Sequence, residues 1–153
     1  GRTLAALGFD AAKETVLGGA LAGFRYVHFA THGVIDPRHP ELSALVLSTV
    51  DPAGRRRDGL LRAHEIGALD LDAELVTLSA CRTALGAEAP GEGLIGLTRS
   101  FFEAGARSLL VSLWSVDDRS TAVLMDRFYA ELFAGRPPAR ARGAPGRAAA
   151  SRS

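Results

Sequence analysis

The chain has 153 residues, 47% of them apolar and 23% charged, which is enough for one soluble domain with a real hydrophobic core. No apolar stretch reaches the ~20 residues of a membrane span, the N-terminus lacks the basic-then-apolar order of a signal peptide, and the single cysteine cannot close an internal disulfide; a cytoplasmic protein with no membrane partner is expected. The net charge of +1 conceals an asymmetry: residues 1–134 carry 13 basic and 17 acidic residues, a balance of −4, while the last 19 hold five arginines and no acid, so no nucleic-acid-binding face is expected on the folded part.

Taken in chain order, residues 10–22 read as a helix, with Leu17 and Leu21 four apart and Gly23 as its stop. "FRYVHFAT" (24–31) is rich in aromatic and β-branched residues and reads as a strand buried on both faces, as in a parallel sheet. "SALVLS" (43–48) is a second short strand, and "VDPAGRRRDG" (50–59) is turn chemistry that returns the chain into "LLRA" as a hairpin. "HEIGAL" (64–69) suits a short helix. "AELVTLSA" (73–80) is a second strong strand. "EGLIGLTRSFFEA" (92–104) has Leu94, Leu97 and Phe101 at helical spacing and Gly105 as a C-terminal cap. "RSLLVSLW" (107–114) is the third strong strand; Asp117 or Asp118 then caps a helix to about Phe133, with Leu124, Phe128 and Leu132 on one stripe. Residues 135–153, "GRPPARARGAPGRAAASRS", have no apolar period and read as a disordered Arg/Pro-rich tail.

Strands alternating with helices argue for an α/β fold with a mostly parallel sheet and helices on both faces. Sites in such folds form beyond the carboxyl ends of the strands. "VHFATHG" (27–33) stops at His32, and "VTLSACRT" (76–83) stops at Cys81, the only cysteine, at the expected start of a loop. A thiol attacks acyl carbon only as thiolate, and a neighbouring imidazole can take its proton. A developing oxyanion then needs fixed N–H donors, which Gly33, having no side chain, and the backbone of Cys81 can supply. The 49-residue separation sharpens the reading, because a caspase-type signature places its histidine about 50 residues upstream of a cysteine lying between Ala and Arg. Here Ala80-Cys81-Arg82 fits, with Ser79 and Thr83 at the flanking positions.

With those motifs in hand, the chain resembles the CHAT family, caspase-like domains that often follow tetratricopeptide repeats in bacterial proteins. The resemblance rests on "HFATHG" (28–33), "LSALVLS" (42–48), "LVTLSACRTALG" (75–86), "GEGLIGLTRSFFEAGARSLLVSLWSVDD" (91–118) and "LMDRFYAELFAG" (124–135), and spans about residues 8–135. It implies a caspase-hemoglobinase-like three-layer sandwich over residues 1–134, peptide-bond cleavage by a cysteine endopeptidase, His32 and Cys81 as catalytic pair, and Gly33 and Cys81 N–H groups as oxyanion hole. The expected partners are a polypeptide substrate and an upstream repeat domain of the same protein or a regulatory partner. The family domain usually has a further strand and helix before the equivalent of residue 8 and a helix after the "LFAG" stretch. Their absence suggests the C-terminal piece of a longer protein and motivates the alternative of a catalytically silent interaction module.

Other features weigh less. Asp117 reads first as a helix cap, and second as a substrate-pocket residue favouring a basic side chain. Arg82 reads as a surface ion-pair partner, or as a charge that lowers the Cys81 pKa. His28 reads as a core or supporting residue, and His39 and His64 as surface residues. The four histidines and one cysteine have no zinc spacing, so no metal or other cofactor is expected. "GEGLIG" (91–96) has the form of a dinucleotide-binding fingerprint, but about ten residues separate it from the strand it should follow. A loop entering a helix, with Gly96 permitting close helix–sheet packing, is the better account.

Overall fold

The computed structural model describes residues 2–36, 38–79, 81–83, 92–111 and 118–135. The chain divides into two compact units, Gly1–Ser115 and Val116–Ser153.

In the first unit a 3-10 turn at Gly8–Asp10 leads into α1 (Lys13–Leu17). The helix expected over 10–22 is therefore shorter. Gly18 caps it, and Gly19 and Gly23 follow at φ +81° and +75°, a left-handed backbone that no helix continues. Leu17 is left exposed. Strand β1 (Tyr26–Phe29) is followed after two residues by β2 (His32–Val34). A 3-10 turn at Pro40–Leu42 precedes β3 (Ala44–Val46), and β4 (Leu60–Arg62) returns antiparallel to it, as the turn chemistry of 50–59 requires. Then come α2 (Ala63–Gly67), β5 (Leu75–Leu78), β6 (Cys81–Thr83), α3 (Glu92–Glu103) and β7 (Leu109–Val111).

These strands form two sheets among the described residues. The first is parallel, in the order β1-β5-β7. The second runs β4-β3-β2-β6, with β2 and β6 parallel and the other two pairings antiparallel. The fold is thus mixed α/β with a parallel sheet and helices, and the described strands add a second, mixed sheet to the parallel one. The reason is local: "FATHG" and "LSACRT" each break after the first strand and resume in a second sheet.

Burial follows from position in the sheet. β5, flanked on both sides, is buried at all four residues. β1, expected to be buried on both faces, has its described neighbour on one side only. It buries Val27 and Phe29 and exposes His28. The core joins Val27, Phe29, Leu45, Leu61, Ile66, Val76, Leu78, Leu97 and Phe101 into one cluster. Phe101 is fully buried, and its ring meets Phe29 at 5.6 Å between centroids. α3 ends as its sequence requires: Gly105 takes φ +97°, and the Ala106 N–H donates to the Phe101 carbonyl at 3.0 Å. Gly96 does permit a close approach, but to Pro40 rather than to a sheet. A Cβ there would lie 2.7 Å from Pro40 Cβ.

The only lysine in the chain is buried. Lys13 on α1 places Nζ 2.8 Å from Asp58 Oδ2 and 2.7 Å from Glu65 Oε1. Burial works to lower its pKa, but the hydrogen bonds and charges of the two carboxylates outweigh that and raise it. This cluster ties the N-terminal helix to the hairpin and to α2. Ser48 N–H, donating to the Ala11 carbonyl at 2.8 Å, ties the same segment to the end of β3.

The second unit contributes α4 (Asp118–Phe133), where the sequence predicts it. Phe128 and Leu132 of the expected stripe are withdrawn from solvent, whereas Leu124 is exposed. The Tyr129 ring stacks on Phe133 at 5.8 Å. The tail over 136–153 and the Asp117 cap lie outside the described residues.

Candidate functional site

The two sequence runs that end in reactive residues are built alike. Phe29 closes β1 and His32 opens β2 three residues later; Leu78 closes β5 and Cys81 opens β6 three residues later. β1 and β5 pair in parallel with Phe29 opposite Leu78. Equal links then carry the register across unchanged, so that His32 pairs with Cys81, Gly33 with Arg82 and Val34 with Thr83. Neighbouring strands stand about 4.8 Å apart. Cys81 was expected at the start of a loop and His32 just past a strand end. His32 lies three residues past the end of β1 and Cys81 three past the end of β5, and each opens a short strand of the second sheet, where a loop was expected at Cys81.

His32 is exposed, and its other neighbour is Val46 of β3. No carboxylate among the described residues bonds its imidazole. Asp36, close in sequence, is otherwise engaged: Oδ1 accepts the Arg38 and His39 backbone N–H groups at 2.9 Å each. These bonds, that from His39 foremost, hold the Asp36 carboxyl below its ordinary range. Gly33 is buried at the centre of β2, with β3 on one side and β6 on the other. Arg82 takes the ladder position opposite Gly33.

His28 was expected as a core or supporting residue. It is an exposed residue of β1, and its Nε2 shares a 2.6 Å hydrogen bond with Ser79 Oγ, two residues before Cys81. Desolvation lowers its pKa from the ordinary imidazole value, which favours the neutral ring. The available signal was the alternation of the strand: His28 stands between buried Val27 and Phe29 and must face the other way. Beside it lies a cavity of about 230 Å³ whose wall includes Thr15, Val16, Phe24, His28 and Thr31. His39 and His64 are exposed, as expected. Gly96 of "GEGLIG" sits within α3, and among the described residues the nearest preceding strand, β6, ends at Thr83. That placement does not match a fingerprint opening directly from a strand. Among the described residues no group of three His, Cys, Asp or Glu side chains is arranged to hold a metal ion, and no helix is long and apolar enough to cross a membrane.

The profile of the CHAT domain matches residues 2–145. The chain belongs to the CHAT domain family. Among curated proteins, this CHAT domain is 32% identical over 163 aligned residues to tetratricopeptide repeat protein 28 of Mus musculus, covering 84% of the chain. To the Homo sapiens protein of the same name it is 30% identical over the same length. The chain spans only about 6% of the length of either relative. Both relatives are mammalian.

Proposed function

We propose that this CHAT domain is a cysteine endopeptidase built on a caspase-hemoglobinase-like three-layer sandwich with helices on both faces. His32 takes the proton of the Cys81 thiol, and the thiolate attacks the scissile carbonyl carbon. The Gly33 and Cys81 N–H groups stabilise the oxyanion. The His32 imidazolium then protonates the departing amine as the C–N bond breaks, and water activated by His32 hydrolyses the thioester. The observation that carries the reading is the in-register pairing of His32 with Cys81 on adjacent parallel strands. Arg82 is the proposed source of positive potential that favours the thiolate, and Asp117 the proposed selector of a basic substrate side chain. The repeat-containing relatives support an upstream tetratricopeptide-repeat domain in the same protein as the partner that controls access. The working setting is cytoplasmic.

Cleavage of a peptide library by the wild type and by Cys81→Ala, with matched circular dichroism spectra, tests the assignment. Activity is expected in the first protein only, and equal cleavage by both would remove Cys81 from the mechanism. Alkylation of Cys81 well below pH 8 should require His32 and be lost in His32→Ala. Asp117→Ala should weaken a preference for basic residues in the same library. A second reading, a silent caspase-like interaction module, draws on the missing carboxylate partner at His32 among the described residues. It predicts an ordinary thiol titration near 8.5 in wild type and His32→Ala alike.

A further inference from the structure

The two links that carry the proposed catalytic pair are both tied down by hydroxyl groups. In the β1–β2 link, Thr31 Oγ1 donates to the Val46 carbonyl of β3. In the β5–β6 link, Ser79 N–H donates to the Phe29 carbonyl at 3.0 Å, and Ser79 Oγ meets His28 Nε2 at 2.6 Å. His28 is paired in the β1–β5 ladder with Thr77, two residues before Ser79. The imidazole–hydroxyl bond therefore runs diagonally across the two strands. It braces the segment leading to Cys81 against the segment leading to His32, two residues before the one and four before the other.

We propose that His28 and Ser79 are positioning residues for the Cys81–His32 pair, their hydrogen bond setting the path along which the chain leaves β5 and hence the approach of the thiol to the imidazole. The inference rests on the peptidase reading and adds to it two residues that need not touch substrate. A neutral imidazole suits the task. One ring nitrogen donates and the other accepts, so the brace adds no charge that would compete with His32 for the thiolate. Glutamine offers an amide group near the position of Nε2 and can keep the bond; alanine cannot.

Because Cys81 is the only cysteine, iodoacetamide labelling followed by intact-mass measurement reports on it alone. The rate would be measured from pH 5 to 10 in wild type, His28→Ala, His28→Gln and Ser79→Ala, with thermal unfolding of each protein alongside. The wild type should alkylate well below pH 8. Ser79→Ala and His28→Ala should lose about tenfold in rate near pH 6.5, the change in thiolate fraction that one unit of thiol pKa produces. His28→Gln should stay within about twofold of wild type. Ser79→Ala removes a single oxygen, so it reports even where His28→Ala does not fold. A Ser79→Ala profile identical to wild type overturns the positioning role and leaves the peptidase reading standing. Equal losses in His28→Gln and His28→Ala, tracking loss of thermal stability, make the contact merely structural and also overturn it. A plain thiol titration in the wild type itself overturns the peptidase reading, and the positioning role with it.

Discussion

Replacing Lys13 by methionine keeps the apolar stem of the side chain and removes its charge. The ammonium group contributes two charge-assisted hydrogen bonds, at 2.8 Å to Asp58 and 2.7 Å to Glu65, from a buried position. Deleting one partner of a buried ion pair commonly costs about 3–5 kcal/mol when the other charge is left stranded. Here neither carboxylate is stranded. Asp58 keeps the Arg62 guanidinium at 3.0 Å and the Leu60 N–H, and Glu65 keeps the Arg62 N–H at 2.9 Å. The expected loss is therefore about 2–3 kcal/mol at pH 7, close to what two charge-assisted bonds less their desolvation supply. That is a large share of the ~5–15 kcal/mol holding a domain together.

The same cluster has a signature in pH. Asp58 lies well below the usual carboxylate range, chiefly through its hydrogen bond from Lys13. Glu65 is also lowered, since the Lys13 and Arg62 bonds and nearby charges together outweigh the opposing effect of burial. Groups lowered on folding stabilise the protein above their unfolded pKa values, near 4, and lose that contribution as pH falls through the folded ones. Lys13 is raised, so its contribution is complete below 10.5 and is lost as pH climbs through its folded value. Urea unfolding followed by far-ultraviolet circular dichroism at pH 7, at several points from pH 5 to 3, and above pH 10 measures all three regimes. Lys13→Met should be less stable at pH 7 and show shallower acid and alkaline slopes than wild type. A loss below about 0.5 kcal/mol at pH 7, or an unchanged acid slope, would refute the assignment of this cluster as the anchor of the N-terminal helix.

Further outcomes follow from the core and from the glycines. Phe101→Ala, at a fully buried ring packed on Phe29, should cost about 3–5 kcal/mol in urea unfolding, and a cost under 1 would mean that the site collapses around the cavity. Gly96→Ala should destabilise by about 1–2 kcal/mol despite the better helix propensity of alanine, because its Cβ meets Pro40 Cβ at 2.7 Å. Gly67→Ala, whose nearest contact is the flexible end of Glu103 at 3.2 Å, should stay within about 0.5 kcal/mol, and equal effects at the two positions would contradict the α3–Pro40 packing. Gly105→Ala should cost about 1 kcal/mol or more, since alanine resists φ +97°, and an unchanged midpoint would argue against that cap.

Much of this protein was legible from residue order alone. Alternation and β-branching located the strands around Val27, Leu45, Val76 and Leu110, and helical spacing located α3 and α4, because these signals act within a few residues. The separation of His32 and Cys81, with the Ala80 and Arg82 neighbours, singled out the pair and pointed to the CHAT family. Helix length was less legible: the apolar spacing of Leu17 and Leu21 suggested three turns, but the glycines after Leu17 prevailed over it.

What local pattern could not decide was partnership. No rule acting along one strand tells that the chain leaving Phe29 and the chain leaving Leu78 each break, cross into a second sheet and pair again. That outcome depends on two distant links of equal length and on β3 being present to receive β2. The bond from His28 to Ser79 likewise joins two segments 51 residues apart in the chain, so no pattern within either segment shows it. Sequence determined which residues could do chemistry, since reactivity belongs to the side chain. The tertiary structure decided which backbone positions stand opposite one another, since register is settled only when strands far apart in the chain meet.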